Sequence, residues 1–99
     1  MWNELWEKEI VMITVNPIDS TTFEVIVEDI STTIHKVVVT PSYYEKLTDK
    51  RVTPVVLVER SFEFLLQRES NTSILRSFEL SEISHYFPEY EETIKGMLK

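Results

Sequence analysis

Few residue types in this chain can move protons or hold a metal. His35 and His85 are its two histidines, and it has no cysteine. Two histidines and a carboxylate can ligate zinc, but such sites are usually announced by HxxxH or CxxC spacing, and neither occurs here. No metal or other cofactor is therefore expected. General acid–base work needs a carboxylate or imidazole whose pKa a pocket can shift. The 17 acidic residues offer many such pairs and single out none. An enzyme built here would rest on His35 or His85, a carboxylate and a tyrosine. His35 stands in line with valines, so a hydrogen bond at the sheet edge is the simpler expectation for it. No serine sits in a GxSxG elbow. Gly96 is the single glycine, which excludes phosphate and dinucleotide loops, since both need backbone that approaches phosphate closely. The aromatics Tyr43-Tyr44, Tyr86-Phe87 and Tyr90 either line a groove or fill a core, and their helical spacing favours the core.

The formal net charge is −7. Lys36, Lys46, Lys50 and Arg51 are the cations that a nucleic-acid-linked regulator would use, yet the overall acidic balance opposes binding driven by counterion release, and no nucleic acid is expected as a partner. Anionic membrane surfaces are disfavoured for the same reason. No apolar run approaches the ~20 residues of a membrane span. The start of the chain has three glutamates before Ile10 and lacks a basic signal-peptide region. With no cysteine to oxidise, a cytoplasmic setting is the expectation.

What must position any site is a helix. Over residues 54–69, Val55, Val58, Phe62, Leu65 and Leu66 fall on one stripe of a 3.6-residue period, flanked by Leu57 and Phe64. Thr53 caps it and Pro54 suits its first position. Thr40-Pro41 repeats that signal ahead of a shorter helix over 41–48. Strands are expected near 10–16, 22–29 and 33–40, from β-branched runs and clean alternation. Pairing Val15 with Phe23 centres the first hairpin on Asp19. Pairing Val25 with Val37 and Val27 with His35 centres the second on Ser31. Val11, Ile13, Val15, Phe23, Val25, Val27, Val37 and Val39 then share a face, the natural floor for the long helix. Further helices are expected over 73–79 and 81–97, with Ser73 or Thr72 and then Ser81 as caps and Pro88 as an interruption. The whole reads as one α+β domain: a three-stranded antiparallel sheet covered on one face by the helices that follow it.

Residues 1–9 read as an add-on leader helix, with Trp2, Leu5, Trp6 and Ile10 on one stripe. The tryptophans pack either on their own domain or on another chain. On the outer face of the sheet, Met12, Ile26 and Val38 can line up between Glu24, Glu28 and Lys36. That face is left wet, covered by the leader, or used for self-association. The candidate interaction surface is accordingly Trp2, Trp6, Met12, Ile26 and Val38.

The runs Ser61-Phe62-Glu63-Phe64-Leu65-Leu66-Gln67-Arg68-Glu69, Ile74-Leu75 with Phe78 and Leu80, and Tyr86-Phe87-Pro88-Glu89-Tyr90-Glu91 resemble a group of small prokaryotic proteins of unknown function, as does Thr40-Pro41-Ser42-Tyr43-Tyr44. The resemblance runs from about Met12 onwards. It implies a similar small domain and a prokaryotic source, and it transfers no catalytic residue. The residues themselves favour a non-enzymatic interaction or regulatory module, a homodimer among the options, over a small acid–base enzyme.

Overall fold

The computed structural model describes residues 11–99. The leader expected over 1–9, with Trp2 and Trp6, lies outside the described residues. Strands β1 (Met12–Pro17), β2 (Thr22–Glu28) and β3 (Thr32–Val38) form consecutive antiparallel hairpins. Helices α1 (Pro41–Thr48) and α2 (Pro54–Leu66) follow. A 3-10 turn at Asn71–Ser73 leads into a fourth strand, β4 (Ser77–Glu79). A second 3-10 turn at Leu80–Glu82, then α3 (Ile83–Tyr86) and α4 (Tyr90–Met97), complete the chain.

The fold class is α+β, but the sheet is not the expected three antiparallel strands. It has four, in order β1-β2-β3-β4, with β4 parallel to β3. Residues 73–79 are thus mainly an approach and a strand, not a helix. The cause is long-range pairing: Val37 faces Phe78, and the Lys36 amide donates to the Arg76 carbonyl at 2.8 Å. Phe78 and Leu80 turn inward while Glu79 faces out, a period-two pattern too short to read against the helix signal around it.

Both hairpins are paired two residues away from the expected register. Val15 faces Val25, and Val25 faces His35, so the loops centre on Ser20 and Ile30, not on Asp19 and Ser31. A shift of two keeps every side chain on its face, so the inward set is as expected but for one residue: Phe23, Val25, Val27, Val37 and Val39 are buried, Ile13 and Val15 of the edge strand pack on them in part, and Val11, before β1 begins, is exposed. Turn chemistry explains the first hairpin. The Asp19 carboxylate accepts from the Thr21 and Thr22 amides at 2.9 and 2.8 Å, and the Ile18 amide closes on the Thr22 carbonyl.

Both Thr-Pro starts are real caps. The Thr40 hydroxyl accepts from the Tyr43 amide, and that of Thr53 from the Val56 amide. Helix α2 stops at Leu66, short of residue 69, and it buries two faces. Phe62 lies 5.3 Å from the His35 ring and 6.1 Å from Phe78, against the sheet. Phe64 meets Tyr90 at 5.1 Å and Phe87 at 5.9 Å, both edge-on. Val55 and Leu66 are only half-buried, so the buried stripe is centred on Leu57, Val58, Ser61, Phe62 and Leu65. Arg68 closes the end of α2, its guanidinium 3.6 Å over the Phe64 ring and 3.2 Å from Glu89. Beyond it, the expected 81–97 helix is split around Pro88 into α3 and α4. The cap of this region is not Ser81. Glu79 and Glu82 form a reciprocal capping box, and Glu82 accepts from the Glu79 amide at 3.1 Å.

Candidate functional site

His35 sits on β3, an interior strand, and faces the core with no exposed surface, not at a sheet edge. Nδ1 lies 2.7 Å from the Leu75 carbonyl, so it must carry the proton. Nε2 is then an acceptor, and the Thr33 hydroxyl at 2.9 Å donates to it. The Thr33 oxygen in turn accepts from Asn71 Nδ2 at 3.0 Å, and Asn71 also donates to the Ser31 carbonyl at 2.8 Å. Burial pushes the His35 imidazole below its ordinary value, the Leu75 carbonyl pulls it part of the way back, and Arg76 pushes it down again. The ring is a neutral tie between β3 and the approach to β4. Neither nitrogen is left for a substrate.

His85 is exposed on α3. Among the described residues, no group of three or more His, Asp or Glu side chains is placed to hold a metal ion. No helix of the described residues is long and apolar enough to cross a membrane.

Two other polar clusters serve packing. Tyr90 is fully buried, 2.6 Å from the Ser61 hydroxyl, which donates to the Leu57 carbonyl at 2.7 Å. Burial holds the Tyr90 phenol well above its ordinary value, and the Ser61 bond opposes this only in part. Tyr43 donates to Glu91 Oε2 at 2.8 Å, and Lys46 lies 3.2 Å from the other oxygen. Burial, and then the Glu91 bond, raise the Tyr43 phenol, while that same bond from Tyr43 is the main force lowering the Glu91 carboxyl. A phenol that holds its proton this firmly is a poor general base.

Among the described residues, two apolar surfaces stand out. The first is the outer face of the sheet, uncovered among the described residues. Met12 and Ile34 are 55% and 53% exposed there, with Ile26 half-buried between them. Ile26 faces Ile34 directly, while Met12 faces Glu28 and is a diagonal neighbour of Ile26. Val38 does not join the patch as expected. It faces Thr22, one rung beyond the Glu24–Lys36 pair. Ile34 takes its place, and the two-residue register error is what hid it.

The second is an apolar cleft of about 340 Å³ between the end of α2, the approach to β4, and α3. Leu65, Ile74, Phe78, Ile83 and Phe87 line it, Leu75 and Tyr86 stand exposed beside it, and Glu69, Glu82 and Ser73 complete the wall. The Tyr86-Phe87 pair flagged in the sequence does line a groove, whereas Tyr90 is core. Neither histidine borders the cleft. No family model, curated protein or solved structure matches the chain, so geometry carries the functional reading.

Proposed function

We propose that this protein is a non-catalytic interaction module that pairs with a second copy of itself through the outer face of its sheet. The observation behind this reading is the exposed run Met12, Ile26 and Ile34 on a face that no described element covers. Neighbouring apolar side chains rimmed by polar ones on an open sheet face are the kind of patch that marks an interaction surface. The face also carries both signs of charge, with Lys36 opposite Glu24, Glu79 one rung along beside Val38, and Glu28 beyond the Ile26–Ile34 pair. A two-fold axis can set Lys36 of each protomer against carboxylates of its partner, as an isologous interface requires.

Area argues for a further contributor. Strands of six, seven, seven and three residues, at about 3.3 Å per residue and about 4.8 Å spacing, give the face roughly 360 Å². A standard interface uses about 800 Å² per partner. Trp2 and Trp6, outside the described residues, are proposed to supply the remainder, since a tryptophan buries roughly 150–250 Å².

Light scattering of the full chain over a concentration series tests this. The native chain dimerises, Ile34→Asp and Met12→Asp shift it to monomer with unchanged circular dichroism, and Trp2→Ala with Trp6→Ala weakens the dimer. A native chain that stays monomeric at its highest soluble concentration and captures no partner removes the reading.

A further inference from the structure

The cleft lies away from the sheet face and has its own chemistry. We propose that it binds a short extended peptide segment carrying one large apolar side chain beside a lysine or arginine. The floor of Leu65, Ile74, Phe78 and Ile83 takes the apolar side chain, and the space of about 340 Å³ suits one such group with its neighbours. Leu75 and Tyr86 are 47% and 66% exposed beside it, apolar surface that a ligand would cover.

The cationic neighbour follows from charge. Glu69 and Glu82 both line the cleft, and no Lys or Arg does. Glu69 is half-buried, and neither carboxylate is ion-paired among the described residues. Glu82 accepts from the Glu79 amide with one oxygen and has no cationic partner among the described residues. The net charge of −7 draws a cation to the same surface from a distance.

The neighbouring strand favours a peptide over a small amine. The sheet ends at β4, whose outer side pairs with no strand among the described residues. Phe78 of that strand points to the cleft. An extended segment laid along this edge can pair with its backbone and turn alternate side chains toward the floor. Because Glu82 already holds the Glu79 amide, the backbone pairing is short, and the side chain and its charge supply the selectivity.

The test is amide chemical-shift mapping of the full-length protein with three blocked peptides: Thr-Lys-Phe-Arg-Thr, Thr-Glu-Phe-Glu-Thr and Thr-Lys-Ala-Arg-Thr. The first shifts the amides of Leu75, Phe78, Ile83 and Tyr86. The other two bind at least about tenfold more weakly. Leu75→Asp abolishes the response, and Glu69→Gln with Glu82→Gln, which keeps a capping oxygen, brings the two phenylalanine peptides to similar affinity. Ile34→Asp, the probe of self-association, leaves the peptide response intact, so the two proposals fail separately. The proposal is overturned by no response, by equal binding of both phenylalanine peptides to the native chain, by shifts confined to the sheet face, or by a Leu75→Asp chain that changes from dimer to monomer.

Discussion

Replacing Thr33 by valine keeps the shape of a buried β-branched side chain and deletes one hydroxyl. That hydroxyl has two jobs: it donates to His35 Nε2 at 2.9 Å and accepts from Asn71 Nδ2 at 3.0 Å. Asn71 retains the Ser31 carbonyl at 2.8 Å and a long contact to the Val27 carbonyl at 3.4 Å, so its loss is partial. His35 Nε2 has no other donor among the described residues. A buried polar group left unpaired costs about 1–3 kcal/mol, so Thr33→Val should destabilise by about 2–4 kcal/mol once the weakened Asn71 bond is included. Urea denaturation at neutral pH, with the m-value checked for constancy, measures this. The companion is a double-mutant cycle with His35→Phe: the Thr33 change should lose at least ~1 kcal/mol of its effect when the imidazole is already gone. A Thr33→Val effect below ~0.5 kcal/mol, or strict additivity with His35→Phe, would refute the chain of bonds from Leu75 to Asn71.

The pH dependence follows from the same ring. His35 is held below its ordinary value of 6.5 when folded, so the unfolded chain takes up the proton first. Its contribution is therefore complete above about pH 6.5 and declines as pH falls below it, and His35→Gln should flatten the stability curve there, read by urea unfolding at stepped pH. Asp19, Glu89 and Glu91 are also lowered, chiefly by hydrogen bonds to the charged carboxylate, so their contributions hold above the ordinary carboxyl range and fade as pH drops through it, a separate second decline. Lys50, in the turn after α1, adopts φ 61°, a left-handed conformation that costs a side-chain-bearing residue about 1 kcal/mol or more. Lys50→Gly should raise the thermal midpoint, with a net gain of about 0.5 kcal/mol after the extra entropy of glycine in the unfolded chain.

Much of the fold was legible where local chemistry decides it. The helix over 41–48 and the start of α2 follow from Thr-Pro caps, and the inward set of valines follows from alternation. What failed was partly local turn chemistry and partly pairing between residues distant in sequence. Alternation distinguishes odd from even, so it cannot separate registers two residues apart, and the Asp19 turn made that choice. Strand β4 is three residues long and exists through its pairing to β3, which no local pattern announces. The candidate surfaces divide the same way. Met12 and Ile26 were found from their place on the even face. Ile34 needed the true register, and the cleft gathers α2, residues 73–78 and α3, of which the Tyr86-Phe87 pair was the one visible sign.

The bond from His35 to Leu75 joins residues 40 positions apart in the chain. The two hairpins can zip from their own turns, but β4 has to wait until a long stretch of chain has been gathered and its helices laid down, at an entropic cost that neighbouring strands never meet. It should be the last strand to arrive during folding. Whatever binds along that margin would act as a latch, favouring the state in which this late-paired strand is in place.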